Sequence, residues 1–462
     1  MSDSGPSTEY ACEGGIENTY SARWCPWKYP WGDRDYDWLR NPERGWRIRT
    51  LTMLTHAVSA DLESVASAQR RLLEQVRVLS RDTVGLDAAL GRVLAEEISS
   101  RSDLPGFDNS AMDGYAVRAR DIVTATPTAP VRLPVIGESR AGAVPEAHRA
   151  GTAMRIMTGA PMPDGADTVV RQEDTSRDGA TVLVDVAASL GTSVRPRGAD
   201  IRAGDTVMLP GRPLTSIDIG VAAALGHDRL VVGGRPRVAL LATGDELVAA
   251  GTPPGPAQLV DSNSPMLAAA VREAGGEPTF LGIARDSKDS VRALLEAASA
   301  SDLVVSSAGV SVGDHDWVRE VAADLGTIST WRVAMRPGKP VLIGKLGDAV
   351  FIGLPGNPVS SSVTFELFAR PVIRLMQGAN ELHRQRMRVR IGEEMSKPAG
   401  LETYTRAVLR SSPQDDLPLA HSSGDQGSSM LRSLTRADCL LVLPADIEVI
   451  EAGAIVEAIP LR

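Results

Sequence analysis

Residues 237–376 alternate between β-branched apolar runs and amphipathic segments, and this rhythm limits the fold more than any other feature of the chain. The runs RVALLAT, PTFLGIA and SDLVVSSAG predict strands, while SPMLAAAVREAGG, SKDSVRALLEAASA and WVREVAADLG predict helices. TISTWRVA and KPVLIGKLGDAVFIGL add further strands. Alternation of this kind is typical of a parallel sheet covered by helices. We therefore expect a central three-layer α/β domain.

The chain before this domain follows other periods. Apolar residues at helical spacing in residues 62–79 predict a first helix, and the stretch LDAALGRVLAEEI predicts a second. Short β-branched runs broken by Gly and Pro predict a small β domain between residues 104 and 195. The stretch TSIDIGVAAALG predicts another helix, which Thr215 or Ser216 would cap.

The chain after the central domain returns to short strands. RMRVRIG, TYTRAVLR, CLLVLPA and AIVEAIPL predict a C-terminal β domain, and we expect it to be barrel-like. The expected domains are a leader (1–54), a helical domain with an inserted β domain at about 107–195 (55–236), a central α/β domain (237–380) and a C-terminal β-barrel (385–462).

The leader has its own composition, with five of the seven tryptophans at Trp24, Trp27, Trp31, Trp38 and Trp46 and neither helical nor strand periodicity. Long structureless stretches seldom belong to a compact domain. We interpret this segment as a disordered leader, or as an extension ahead of a true start at Met53. The alternative is an aromatic docking segment.

Composition excludes several functional classes. The net charge of −9 argues against general nucleic-acid binding. Cys12, Cys25 and Cys439 have no metal-ligand spacing and suit a reducing compartment. We find no apolar run of membrane-spanning length and no signal peptide pattern at the start, so we expect a soluble cytoplasmic protein without membrane contact.

In an open α/β sheet, ligands bind beyond the carboxyl ends of the strands, and the first two loops there are acidic. ATGDEL places Asp245 and Glu246 side by side, which suits Mg²⁺. Its alternative is a helix start whose acids offset the dipole. IARDSKDS contributes Arg285 for an anion and Asp286 for a metal, although taken alone this loop is more typical of a helix cap.

The third loop, SSAGVSVGDHDW, is rich in small residues. Ser307, Gly309, Ser311 and Gly313 would expose backbone N–H groups to a phosphate, and Asp316 follows where Mg²⁺ could bridge phosphate oxygens. The alternative is a plain loop, which rarely needs so many small residues.

The fourth region combines cations with a stiff turn. AMRPGKP supplies Lys339 and Pro340 beside Arg336, and Arg332 precedes them. In GLPGNP, two prolines restrict the turn around Gly356, whose missing side chain admits a ligand. We interpret Pro355 to Pro358 as a rigid anion seat at a helix start, with a stiff connection as the alternative. Together, the loops predict a cleft for a polyanion and a divalent metal.

Six motifs in this order resemble the MoeA family of molybdopterin molybdenumtransferases, to which the gephyrin E domain is related. They are PGFDNSAMDGYAV, RIMTGAPMPDGAD, ATGDEL, SSAGVSVGDHD, RPGKP and GLPGNPVS. The resemblance covers about residues 60–460. It implies a homodimer that inserts molybdate into adenylylated molybdopterin with Mg²⁺, releases AMP and yields molybdenum cofactor. It also implies transient contacts with the adenylyltransferase and with molybdoenzyme chaperones.

The resemblance also implies roles for residues that match the family's motifs. The implied catalytic residues are Asp113, Thr158, Asp200, Glu246, Asp286 and Asp316. From the carboxylates of the loops, we predict that the metal ligands are Asp245, Glu246, Asp286 and Asp316. The implied substrate-binding residues are Lys339, Pro340, Pro355 and Pro358. From the chemistry of the loops alone, we add as ligand-binding residues Ser307, Gly309, Ser311, Gly313, Arg332, Arg336 and Gly356. Asp113, Thr158 and Asp200 fit this set if one subunit closes over the cleft of the other.

The sequence departs from the family pattern at Arg332 and Arg336, where lysine is common, and at Ala199, Ala308 and Asp425. A guanidinium is a planar fork and an ammonium a point charge, so the preference for molybdate or tungstate stays open. Two other functions stay open at this stage. One is a molybdopterin adenylyltransferase, which the central domain alone resembles, and the other is a non-enzymatic carrier or scaffold.

Overall fold

The computed structural model describes residues 62–310, 317–411 and 416–462. The predicted Trp-rich leader lies outside these ranges, as do Ser311, Gly313 and Asp316 of the third loop. Within these ranges, we find no helix with the length and apolar character needed to span a membrane.

The N-terminal region begins with helix α1 (Val65–Leu73), which starts where the Ser64 hydroxyl accepts a hydrogen bond from the N–H of Ser67. Its strands are β1 (Arg81–Gly85), β2 (Ile98–Ser99), β3 (Asn109–Ser110), β4 (Gly114–Val117), β5 (Val131–Ser139), β6 (Ala153–Ile156), β7 (Thr168–Arg171), β8 (Thr175–Asp178), β9 (Thr181–Val184), β10 (Val194–Arg195), β11 (Thr206–Met208) and β12 (Arg229–Gly233). Strands β7-β4-β6-β5-β9-β8 form one sheet inside the segment predicted to be β-rich.

Helix α2 (Ser216–Ala224) begins as predicted, and Thr215 is the capping residue. The Thr215 hydroxyl accepts from the N–H of Asp218, and the Asp218 carboxylate accepts from the N–H of Thr215. This reciprocal capping box pairs backbone donors that would otherwise be unsatisfied at the first turn.

The helix predicted over LDAALGRVLAEEI is wrong. Only Leu86–Ala88 forms a short 3₁₀ turn, after which Gly91 has a φ of 74° and leads the chain out of helical geometry. Val93 and Leu94 then form β-bridges with Pro213 and Val232. Their apolar spacing therefore reflects burial in a tertiary pairing, which overrides a weak helical preference.

The central domain contains β13 (Arg237–Thr243), β14 (Leu247–Val248), β15 (Leu259–Val260), β16 (Glu277–Ala284), β17 (Leu303–Ser307), β18 (Gly326–Arg332), β19 (Met335–Arg336), β20 (Pro340–Leu346) and β21 (Ala349–Leu354). Its helices are α3 (Asn263–Glu273), α4 (Lys288–Ala298), α5 (Trp317–Leu325), α6 (Pro358–Thr364) and α7 (Arg370–Met376), and a π-helical turn at Phe365–Ala369 separates the last two.

The main sheet has the order β16-β13-β17-β21-β20-β18. Strands β16, β13, β17 and β21 are parallel, as the alternation predicts. Strand β20 departs from this parallel pattern, because it is antiparallel to both neighbours. Leu346 pairs with Ala349 across a tight hairpin, and a turn this short can only join antiparallel strands.

Alternate residues of the central strands face opposite layers of helices. Leu240 packs in a core that includes residues of α3, α6 and α7, whereas Leu241 packs in a core with residues of α4 and α5. Both side chains are almost fully buried. Burial on both faces explains why these strands read as continuous apolar runs without polar alternation.

The C-terminal region contains β22 (Met387–Ile391), β23 (Met395–Ser396), β24 (Glu402–Arg410), β25 (Leu419–Ser422), α8 (Leu431–Arg436), β26 (Cys439–Leu443), β27 (Val449–Ile450) and β28 (Ile455–Pro460). Strands β24-β25-β22-β28-β26 close on themselves because β26 also pairs with β24. The predicted C-terminal barrel is therefore confirmed, and with it the predicted α/β multidomain fold class. Burial raises the pKa of the Cys439 thiol to about 12, so this core thiol stays protonated.

Phe351 and Phe280 allow a matched test of the sheet interior. Phe351 is fully buried in β21, whereas Phe280 on the outer strand β16 is 45% exposed. We expect Phe351→Ala to lower the free energy of unfolding by about 3–5 kcal/mol, because the core cannot fill the cavity. Phe280→Ala should cost about 1 kcal/mol or less. Urea unfolding followed by circular dichroism measures both, and equal losses would contradict this assignment of the core.

Candidate functional site

The strand register brings the predicted loops to one edge of the sheet. Thr243 pairs with Ala284, and Ser307 pairs with Ala242 and Leu354, so β13, β16, β17 and β21 end at the same level. The hairpin reversal of β20 places its first residues at this level as well, and Pro340 pairs with Arg332 at the end of β18. We call this rim the carboxyl edge. It consists of the residues that follow β13, β16, β17, β18 and β21, together with those just before β20.

Carboxylates occupy one end of the carboxyl edge. The carboxylate of Asp245 lies 3.4 Å from the N–H of Asp286, and that of Asp286 lies 3.4 Å from the N–H of Asp245. Glu246 folds back over Gly244, which has a φ of 143°, and a Cβ built on Gly244 would lie 2.5 Å from the Glu246 carboxylate. Among the described residues, no three His, Cys, Asp or Glu side chains converge as a metal cluster.

The helix-cap interpretation of IARDSKDS applies to one residue of that loop. Ser287 caps α4, since its hydroxyl accepts from the N–H of Ser290, and the hydroxyl of Ser290 accepts from the N–H of Arg285. Asp286 is therefore not used as the cap, and its carboxylate faces the Asp245 loop instead.

Small residues line the middle of the carboxyl edge, and they pack closely against their neighbours. Ser307 is 2% exposed, and the next residue, Ala308, has a φ of 76°. Gly309 has a φ of 74°, and a Cβ there would lie 2.3 Å from Val318. Glycine at this position is thus required by helix α5, in addition to any contact with a ligand.

The proline turn is held by the C-terminal domain. Pro355 is buried and Gly356 is exposed, while Pro358 is the first residue of α6, where its missing N–H costs no helical bond. The side chain of Asn357 donates to the hydroxyl of Ser428 at 3.0 Å, and the N–H of Val359 donates to the Ser428 carbonyl at 3.0 Å. These two bonds tie the turn to the C-terminal domain, and one N–H of its helix start is already paired.

Cations occupy the other end of the carboxyl edge. Arg332, Arg336 and Lys339 are exposed, and none of them forms an ion pair within the described part of the chain. Arg336 lies in β19, which pairs with β24 of the barrel. Adjacent strands are about 4.8 Å apart, so β13 and β20, with two strands between them, lie about 14 Å apart. The edge therefore has three carboxylates at one end, with Arg285 exposed beside Asp286, and three cations at the other end.

Asp113 and Thr158 meet in the inserted β domain. The Asp113 carboxylate accepts from the N–H of Thr158 at 2.6 Å and from its hydroxyl at 2.8 Å. These two bonds, with a smaller contribution from the charge of Arg155, hold the pKa of Asp113 below its ordinary value. Asp200 is exposed in another loop, where its N–H donates to Leu104. Within the described residues, no hydrogen bond or ion pair joins these three to the carboxyl edge.

Comparison with known families divides the chain into three matched regions. Residues 63–226 match the MoeA N-terminal region (domain I and II). Residues 239–375 match the "Probable molybdopterin binding domain", and residues 388–461 match the MoeA C-terminal region (domain IV).

The chain belongs to the MoeA family.

Relatives named as molybdopterin molybdenumtransferases match over most of their length. Molybdopterin molybdenumtransferase 2 of Mycobacterium tuberculosis is 38% identical and covers 85% of this chain and 98% of its own length. Molybdopterin molybdenumtransferase of Nostoc sp. is 40% identical, with coverages of 80% and 87%. The crystal structure of a molybdopterin biosynthesis MoeA protein from Pyrococcus horikoshii is 31% identical, covers 87% of this chain and 99% of its own, and superposes with a TM-score of 0.72.

Sequence reasoning missed two residues at the carboxyl edge of this MoeA chain. Asn263 begins α3, is 8% exposed, and its side-chain amide joins Ser307 to Gly356. Ser428 reaches the proline turn from the loop before α8. The only signal for Asn263 in the sequence was the polar triplet SNS at the start of a helix. Such a triplet is also typical of ordinary helix capping. Ser428 gave no usable signal, because a contact across domains has no period in the sequence.

Substitution of Thr158 tests the Asp113 contact. Thr158→Val removes the hydroxyl and keeps the N–H, so we expect the pKa of Asp113 to rise only part of the way to its ordinary value of about 3.9. Carboxyl-carbon NMR during a pH titration measures it. Asp103, whose pKa is lowered mainly by the N–H of Ala203, and also by Arg197, is the internal control and should not move. An unchanged Asp113 pKa would contradict the contact.

Proposed function

We propose that this chain is a molybdopterin molybdenumtransferase in molybdenum cofactor biosynthesis, and that its carboxyl edge is the reaction site. The match to MoeA relatives along the whole described fold supports the activity. The observation that carries the choice of site is the charge separation along this edge, with Asp245, Glu246 and Asp286 at one end and Lys339 and Arg332 at the other. The small-residue loop after β17 and the proline turn after β21 lie between the two ends.

The electrostatic problem of this reaction explains such an arrangement. Molybdate and an adenylylated pterin are both anions, and two unit charges 4 Å apart at a protein surface repel by about 4 kcal/mol. Arg332, Arg336 and Lys339 have no ion-pair partner among the described residues, so their charge is free to offset this repulsion. We propose that these three residues hold molybdate and that the loop of Ser307 and Gly309 holds the phosphate-bearing pterin beside it.

The acidic end fits Mg²⁺ by the chemistry of its donors. Asp245, Glu246 and Asp286 present only oxygen atoms, which hard cations prefer. The hydrogen bonds that the two aspartates accept from each other's backbone are long, at 3.4 Å, so their carboxylate oxygens are only weakly engaged. When bound, Mg²⁺ would neutralise charge on phosphate oxygens. We propose Asp316, outside the described residues, as a further ligand.

The task of the protein's own residues is then to orient the pterin and the molybdate and to release AMP and the cofactor. The proline turn at Pro355–Pro358 and the amide-rich loop after Ser307 hold the pterin so that its dithiolene faces the molybdate. As two molybdenum–sulfur bonds form, one molybdate oxygen leaves as water with the two thiol protons. Water cleaves the adenylyl phosphoanhydride bond, and AMP is released. We further propose a homodimer, in which Asp113, Thr158 and Asp200 of one subunit reach the carboxyl edge of the other.

Lys339 and Lys345 test the basic end on a single strand. Lys339 precedes β20 at the carboxyl edge, while Lys345 lies at the opposite end of β20, where it pairs with Thr327. We expect Lys339→Gln to raise the KM for molybdate about tenfold or more, because one offsetting charge is lost. Lys345→Gln should leave it unchanged. AMP release measured against molybdate concentration gives the KM of each variant. The same measurement against tungstate concentration reports which oxyanion is preferred. Equal KM values in the two variants would argue against the basic end as the oxyanion site.

Glu246 and Glu277 test the acidic end in the same way. Glu277 begins β16 at the far end of the sheet, where it pairs with Arg237. We expect Glu246→Gln to lower AMP release about 100-fold and to weaken its dependence on Mg²⁺, since one anionic oxygen ligand is lost. Glu277→Gln should retain full activity. Wild-type turnover by Glu246→Gln would remove this residue from the mechanism.

A further inference from the structure

Asn263 spans the gap between two loops of the carboxyl edge. Its side-chain Nδ2 donates to the hydroxyl of Ser307 at 2.8 Å and to the carbonyl of Gly356 at 2.7 Å. Ser307 ends β17, and Gly356 lies in the proline turn after β21. Both protons of one amide are therefore used to join the loop proposed for the pterin to the turn beside it.

The backbone of Asn263 is held independently of these two bonds. The buried carboxylate of Asp261 accepts from the N–H of Asn263 at 3.1 Å and from the N–H of Ser264 at 3.0 Å. Leu267 and Val271 anchor the same helix in the central core. Helix α3 is thus held in place by contacts that do not involve the two loops.

The two loops are close to each other, and the N–H of Ala308 donates to the carbonyl of Leu354 at 3.0 Å. A Cβ built on Gly356 would lie 3.1 Å from the Cβ of Ala308. The Oδ1 of Asn263 is buried and has no hydrogen-bond partner among the described residues.

We propose that Asn263 is a positioning residue for the molybdenum transfer, which sets the distance between the Ser307 loop and the proline turn. The inference rests on the proposed function. Loss of the amide leaves the Gly356 carbonyl and the Ser307 hydroxyl without their donor, and the two loops move relative to each other. Displacement of about 1 Å at a reacting centre lowers turnover by as much as about 100-fold.

Gln377 provides a matched control, because it contacts the C-terminal end of helix α3 while Asn263 lies at its N-terminal end. Its Nε2 donates to the carbonyls of Ala274 at 2.8 Å and Ile373 at 2.9 Å, and its Oε1 is also buried without a partner among the described residues. Ala274 follows the last turn of α3, whereas Asn263 is its first residue. The two amides therefore share burial and bonding, and only Asn263 touches the carboxyl edge.

The test compares Asn263→Ala with Gln377→Ala in the full chain, with kcat and the KM for adenylylated molybdopterin measured from AMP release. Unfolding by urea reports the stability of each variant. We expect both substitutions to destabilise the protein to a similar extent. Asn263→Ala should lower kcat about 10- to 100-fold with about threefold or less change in KM, whereas Gln377→Ala should keep both constants.

Asn263→Asp is a second variant that keeps the size of the side chain. It loses the donor for Gly356 and should show the same selective loss of kcat. Equal kcat values for Asn263→Ala and Gln377→Ala would overturn the inference alone. Failure of both Asn263 variants to fold, while Gln377→Ala folds, would also overturn it, because the amide would then serve folding. An inactive wild-type protein would instead remove the proposed function and the inference together.

Discussion

The backbone ladder that joins β16, β13, β17 and β21 is the constraint on which the candidate site depends. Parallel strands in register end at one level, so four loops that are distant in the chain share a rim. Both faces of these strands are covered by apolar helices, and a shift of register by one residue would turn every buried side chain toward the wrong layer. The core therefore fixes the rim, and the rim can vary in chemistry without altering the core.

The separation of charge along that rim follows from strand order. Carboxylates follow β13 and β16, and cations border β18 and β20, so two inner strands with small residues at their ends lie between them. Opposite charges at this spacing do not neutralise each other by direct pairing. Each end keeps its own charge available for a ligand, and the small-residue loops between them leave room for its body.

The sequence predicted the parts of the fold that depend on local periodicity. Helices α3, α4 and α5 and strands β13, β16 and β17 follow from apolar spacing, because each buries one stripe or both faces. The false helix before β2 has a tertiary cause, since Val93 and Leu94 are buried by pairing with Pro213 and Val232, which lie more than a hundred residues away. The reversal of β20 was readable in principle from the Gly347–Asp348 turn.

Local motifs in the sequence also predicted part of the candidate site. Motif residues such as Asp245 and Asp286 meet as expected, because each follows a strand of the same sheet. The loops after β17 and β21 were expected beside each other, but Asn263, the residue that ties them, was not. Its role depends on where a helix from elsewhere in the chain begins, and a local pattern of polar residues does not carry that information.

The contact between Ser428 and the start of α6 links the barrel to the chemistry of the rim. The carbonyl and the hydroxyl of Ser428 engage Val359 and Asn357 through two hydrogen bonds, so the barrel cannot rotate away without breaking both. Rotation would leave the Val359 N–H without its acceptor and release a side chain that stiffens the turn. A rigid-body motion of the barrel would therefore change the electrostatic potential at the proline turn, even without movement of any residue in the central sheet.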